Sequence, residues 1–251
     1  MSGAVDRHRL DGLDALRGLA MVWMTLFHFS FDLSHYGLLT GQNFYIEVFW
    51  TAQRTAIVSL FLLCAGMGQG LAHEQQLGWS RFFGRWWRIV ACAALVSAGS
   101  WWMFPRSWIS FGVLHGMAVM LLLTRCLLLV RPRAAHLLGL AAVCLTLPWL
   151  WRHAWFDTRW TNWIGLVTHK PITEDYVPLL PWFGVMLIGL VLGRWLAGGR
   201  TGQPHVASRL RLPAALPGLV LLGRWPLSYY MLHQPVMIGL IMAWLTLRGS
   251  S

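Results

Sequence analysis

The chain has 251 residues, of which 57% are hydrophobic and 12% charged, whereas a soluble domain carries about 45–50% apolar and about 25% charged residues. With 17 tryptophans and a mean hydropathy of +0.54, this composition excludes a soluble globular domain, a disordered chain, collagen and a coiled coil. It fits an all-α polytopic membrane protein whose outer surface faces lipid.

Apolar runs of about 20 residues predict a transmembrane helix bundle of about seven spans, with residues 10–247 as one domain and residues 1–9 as a short cytoplasmic segment. The first run, Leu13 to Leu33, follows a charged start and lacks a convincing A-x-A cleavage site, so it reads as a retained span and not as a cleaved leader. Then come Val48 to Leu71, Trp86 to Phe104, Ser110 to Val130, Ala134 to Trp151, Leu179 to Ala197 and Pro226 to Leu247. The piece Leu212 to Leu222 holds Pro213 and Pro217 and is short for a crossing. It reads as interfacial or as a lead into the last helix, with an eighth span as the alternative. Cys64, Cys92, Cys126 and Cys144 lie inside apolar stretches without metal-ligand spacing, so neither a metal site nor a disulfide framework is expected.

The formal charge of +11 does not require nucleic acid, because Lys170 is the sole lysine and the arginines sit in short gaps between apolar segments. Assigned alternately to two faces, those gaps sort the charge. Arg7, Arg9, Arg17, Arg81, Arg85, Arg88, Arg125, Arg131, Arg133, Arg194, Arg200, Arg209, Arg211 and Arg224 share one face, which is 14 of the 20 basic residues. The other face keeps Arg54, Arg106, Arg152, Arg159, Lys170 and Arg248. The positive-inside rule then puts the N-terminus in the cytoplasm and the C-terminus outside, whereas an eighth span would bring the C-terminus back inside. The longest outward loop, Arg152 to Val177, holds Trp155, Trp160, Trp163, Asp157, Glu174 and Asp175. Its tryptophans suit an interfacial belt or, as the alternative, a grip on a sugar face, and Asp175 is a candidate substrate contact.

The first span carries the chemistry. Asp14, Arg17, Met21, Thr25, His28, Asp32 and His35 follow one another at steps of three or four and share one helical face. Ionisable groups in hydrocarbon cost about 3 kcal/mol or more, so this stripe must face protein or a watery cavity. His28 is the candidate catalytic residue. Asp32, at i+4, is expected to hold one of its ring nitrogens, although the two could simply satisfy one another and pin two helices. His115, in SFGVLHGMAVM, is placed near the depth of His28, and His233, in SYYMLHQPVM, deeper on the cytoplasmic side, so that the three outline a polar path. Each of these two could instead make a satisfied interhelical hydrogen bond. Arg54 is expected to pair with Asp32 or Glu47 or to anchor an anionic substrate. Gly66-Met67-Gly68-Gln69-Gly70 reads as small-residue helix packing and not as a phosphate loop, because no GK[ST] follows.

LDALRGLAMVWMTLFHF followed by FDLSHYG resembles the opening helix of the heparan-alpha-glucosaminide N-acetyltransferase catalytic-domain family, and is similar to transmembrane acyltransferases that open with an Arg-Gly pair and an embedded histidine. Further segments, FLLCAGMGQGLA, FGVLHGMAVM, DYVPLLPWFGVMLIG and GRWPLSYYMLHQPV, look like the same family, so the resemblance runs from Leu10 to Leu240. It implies transfer of an acyl group, commonly from cytoplasmic acetyl-CoA, to a sugar hydroxyl or amine of a glycan or glycolipid across a bacterial cytoplasmic membrane. It carries His28 over as the catalytic histidine, with Asp14 and Arg17 near the cytoplasmic mouth, while His115 and His233 fall in further family motifs and are candidate substrate contacts. Arg17, Arg85 and Arg88 are candidates for holding CoA phosphates, although topology alone also accounts for such charges. A transporter or flippase with a polar pathway, or a non-catalytic membrane partner, remains the alternative, and no inverted repeat is visible.

Overall fold

A computed structural model describes residues 3–198 and 217–249, with side chains from residue 11 onward. Arg200, Arg209, Arg211, residues 212–216 of the short apolar piece, and the side chains of Arg7 and Arg9 lie outside this description. The chain forms α1 (Gly3–His35), α2 (Val48–Glu74), α3 (Trp79–Met103), α4 (Val113–Leu127), α5 (Ala134–Leu150), α6 (Leu179–Leu196), α7 (Pro217–Arg224) and α8 (Pro226–Gly249), with short 3-10 turns at Leu128–Val130, Ala154–Asp157 and Asn162–Ile164. No strand occurs among the described residues, so the fold is all-α.

Four helices, α2, α4 with its following turn, α6 and α8, are long and apolar enough to cross a membrane, and α5 is apolar but shorter. The polar stripe of α1 and the tryptophans of α3 dilute their hydropathy, although at 33 and 25 residues both have the length. Large apolar side chains stand outward along the helices, among them Val48, Trp102, Leu150 and Leu247, as lipid-facing surface requires. At eight residues, α7 is too short to cross.

Backbone contacts divide the chain into two compact units, Met1–Phe61 with Arg209–Ser251, and Leu62–Ser208, with α2 passing from one to the other. In the first unit, α1 ends in a Schellman motif: Gly37 takes a φ of 73° while Leu38 N–H donates to Leu33 C=O at 2.8 Å and Gly37 N–H to Ser34 C=O at 3.1 Å. The chain then turns back. Phe27 and Phe44 meet Trp50, and Trp23 Nε1 donates to Gln53 Oε1 at 3.0 Å, so α2 runs antiparallel to α1 over a core of Met21, Met24, Phe27, Phe44, Trp50 and Ile57. The helix α7 lies against the start of α1 so closely that a Cβ on Gly18 would sit 2.0 Å from Leu219 O, and one on Gly223 1.7 Å from Asp14 O. Arg224 at its end bonds Asp11 at 2.9 Å.

The second unit is held by reciprocal glycine contacts. A Cβ on Gly66 would meet Met186 O at 2.1 Å and one on Gly70 would meet Leu190 O at 2.6 Å. From the other side, Gly189 faces Leu63 O at 2.4 Å and Gly193 faces Met67 O at 2.3 Å. The G-x-x-x-G spacing of Gly66 and Gly70 thus packs into the same spacing in α6, as the small-residue reading expects. Around this seam Leu62, Met120, Leu137, Met186, Leu187 and Leu190 are fully buried. Arg194 ties its ends, bonding Glu74 Oε1 at 3.3 Å and Pro132 C=O at 2.9 Å.

Candidate functional site

In the first unit the polar stripe of α1 faces α8, rung by rung. Tyr229 O–H meets Thr25 Oγ1 at 2.7 Å, His28 Nδ1 meets His233 Nε2 at 2.8 Å, and Gln234 Nε2 donates to Asp32 Oδ1 at 2.8 Å. Thr25 spends its own proton on Met21 C=O at 2.9 Å, so Tyr229 is the donor in the first rung. The Tyr229 ring stacks on the His233 ring with an interplanar angle of 4°.

The middle rung fixes which ring nitrogens carry hydrogen. His233 Nδ1 lies 2.7 Å from the Tyr230 carbonyl oxygen, which can only accept, so Nδ1 carries the hydrogen. With both rings neutral, His233 Nε2 then offers a lone pair, and His28 Nδ1–H donates to it. His28 Nε2 is left with a bare lone pair on a half-buried ring. The rings lie 5.1 Å apart at 15°, edge to edge, so the hydrogen bond runs in their planes.

Several expected contacts are corrected by this geometry. Asp32 does not hold a nitrogen of His28. Its Oδ1 takes Gln234, and the orienting partner of His28 is His233. His233 is not deeper on the cytoplasmic side, since a 2.8 Å bond puts it level with His28. The helix α1 begins at Gly3, ten residues before its apolar run, so the first residues of α1 and α8 do not mark one depth. Arg54 pairs with neither Asp32 nor Glu47. Glu47 instead accepts from Asn43 N–H, and Arg54 makes no ion pair among the described residues. The spacing of Tyr229 and His233, i and i+4, was the available signal for the α8 side of the site.

At the start of α1, Arg17 bonds Asp14 Oδ1 at 2.8 Å, and Arg224 Nε stands 4.0 Å from Asp14 Oδ2. These residues, proposed for the donor, therefore form an ion cluster. Arg85 and Arg88 belong to the second unit, on α3, and stand exposed, with Arg88 Nε bonded to its own helix at Gly84 C=O.

His115 also lies in the second unit, in a satisfied network. Gly112 N–H donates to its Nδ1 at 3.3 Å, its Nε2 bonds Ser97 Oγ at 3.0 Å, and Ser97 donates onward to Ile109 C=O at 2.7 Å. Asp175 Oδ2 accepts from Val113 N–H at 2.6 Å, capping α4. Both act here on the entry of α4. In the loop between α5 and α6, hydrogen bonds from Thr168 hold the Asp157 carboxyl below the usual carboxylate range, and Trp160 is 89% exposed.

Residues 9–235 match the family model described as heparan-alpha-glucosaminide N-acetyltransferase, catalytic. The chain belongs to that family. The heparan-alpha-glucosaminide N-acetyltransferase match runs from just before Asp11 to Pro235 and so takes in all three rungs between α1 and α8. The family makes this chain a membrane acetyltransferase in class. No curated protein and no solved structure matches the chain.

Proposed function

We propose that the chain is an integral protein of a bacterial cytoplasmic membrane that transfers an acetyl group from cytoplasmic acetyl-CoA, or another acyl-CoA, to a sugar hydroxyl or amine presented on the outer side. The acceptor is a glycan or glycolipid. The observation that carries this reading is the relay from Tyr230 C=O through His233 to His28, which leaves the Nε2 lone pair of His28 available.

A lone pair so held removes the proton of an acceptor O–H or N–H while the acceptor oxygen or nitrogen bonds to the acyl carbon. The carbon–sulfur bond then breaks, CoA leaves as the thiolate, and the proton on His28 neutralises it. The same nitrogen can instead attack the acyl carbon first, as a nucleophile, and pass the acyl group on. His233 accepts the His28 Nδ1 proton as a hydrogen bond in either case, and so stabilises the positive ring that forms. Arg81, Arg85 and Arg88 recur at i, i+4 and i+7 along α3, exposed and without ion pairs among the described residues, which suits the phosphates of CoA. Passing only an acyl group through a polar core avoids moving a whole CoA across the bilayer.

Purified protein incubated with radiolabelled acetyl-CoA and a panel of amino- and hydroxy-glycosides should release CoA and label a glycoside. His28→Ala should lower the rate by about 10²- to 10⁴-fold, the usual contribution of a positioned base. An unchanged rate in that variant would overturn the site. The wild-type protein failing to release CoA or label any glycoside would overturn the activity.

A further inference from the structure

We propose that Asp32 is a carboxylic acid and not a carboxylate, joined to the Gln234 carboxamide by two hydrogen bonds, and that this neutral pair is the positioning element that holds His28 against His233. The proposal rests on the reading of His28 as the reacting group.

Asp32 is 4% exposed. Its Oδ1 accepts from Gln234 Nε2 at 2.8 Å. The other oxygens of the two groups, Asp32 Oδ2 and Gln234 Oε1, are both enclosed and both without a hydrogen-bond partner among the described residues. An ionised carboxylate and an amide oxygen are acceptors only, so neither can satisfy the other. One proton on Oδ2 resolves both at once: Oδ2–H donates to Oε1 while Nε2–H donates to Oδ1, closing an acid–amide ring. Solvent supplies that proton, and no covalent bond is made or broken beyond the O–H.

The surroundings also favour a neutral group. Among the described residues no cation pairs with Asp32. Arg17 is bound to Asp14, Arg224 to Asp11 and Asp14, and Arg54 makes no ion pair. His35 is exposed and one turn on along α1, while His28 and His233, one rung away, are bonded to each other, with the Nδ1 hydrogen of His233 committed to Tyr230. A buried carboxylate with one donor and no counter-ion is costly, whereas a satisfied neutral pair is not. Asp32 lies four residues after His28, and Gln234 directly follows His233. The two rungs are therefore neighbours about 6 Å apart along α1, and the acid–amide ring fixes how α8 is set against α1 at the level where the imidazoles meet.

Two measurements test this. Infrared spectra of the detergent-solubilised protein at neutral pH, wild type minus Asp32→Asn, should show a carboxylic acid carbonyl band that shifts on exchange into heavy water. Asparagine can rebuild the ring, with its own oxygen and NH2 in place of Oδ1 and Oδ2–H, so Asp32→Asn should keep kcat within about threefold of wild type. Asp32→Leu should lose about 100-fold in kcat with KM for acetyl-CoA little changed. No acid band, or Asp32→Asn falling as far as Asp32→Leu, overturns the proposal. Should the leucine variant fail to fold, the infrared difference decides alone. It needs no substrate, so an acid band in a protein that transfers no acetyl group would overturn the function and leave the pair standing.

Discussion

A histidine that is to offer a lone pair must keep its one proton on the other nitrogen, and here the choice traces back to a backbone carbonyl. Tyr230 C=O fixes the hydrogen of His233 on Nδ1, His233 Nε2 therefore accepts, and His28 must donate from Nδ1. His233 is then a positioning residue whose value lies in polarity and not in charge. Glutamine can reproduce that polarity, its oxygen accepting from His28 and its NH2 donating to a carbonyl. His233→Ala should lower kcat by about 100-fold or more, in line with the cost of a wrong tautomer in other histidine-dependent sites, while His233→Gln should recover much of it. Steady-state kinetics with KM for acetyl-CoA measured alongside would check this, and equal loss in both variants would contradict it. At this scale the sequence singled out His28, because an imidazole inside an apolar run is conspicuous. It misassigned Asp32, because i+4 spacing along one helix says nothing of a better partner on another.

At the scale of elements, glycine is what lets helices approach. In the second unit the carbonyls of Leu63, Met67, Met186 and Leu190 occupy the space where side chains of the facing glycines would be. Gly189→Ala places a methyl group 2.4 Å from a backbone oxygen that has no rotamer to retreat into. It should destabilise the protein by about 1–3 kcal/mol, the usual cost of overpacking. Gly139→Ala in α5, where an added Cβ meets nothing within 4 Å, should be neutral or stabilising by about 0.5–1 kcal/mol. Thermal unfolding of both variants in detergent separates packing from propensity, and equal midpoints would refute the close approach. The glycine run Gly66 to Gly70 was legible because small residues at a spacing of four have one common use in membranes. The helix α7 was only half legible: Pro213 and Pro217 marked a break, but nothing in the sequence says that Gly18 of α1 makes room for it.

At the scale of the whole molecule the question is which way the ends point. Three rungs join α1 to α8 in ascending order in both helices, Thr25 with Tyr229, His28 with His233 and Asp32 with Gln234, so the two run parallel. Parallel crossing helices leave the membrane on the same side, which puts the chain's end opposite its beginning if both cross. That direction agrees with the sorting of 14 of the 20 basic residues to one face, a count that used no contact between helices. The described part of the short apolar piece, α7, has eight residues, too few to cross, and lies along the start of α1, where Arg224 meets Asp11. A reporter fused after Ser251 should therefore be active only outside the cytoplasm, and one fused before Met1 only inside. Alkaline phosphatase and green fluorescent protein fusions at each end read the two compartments separately. A C-terminal fluorescent fusion that matures in the cytoplasm would require either an N-terminus outside with an odd number of crossings, or an even number of crossings in which α1 and α8 do not both span the membrane.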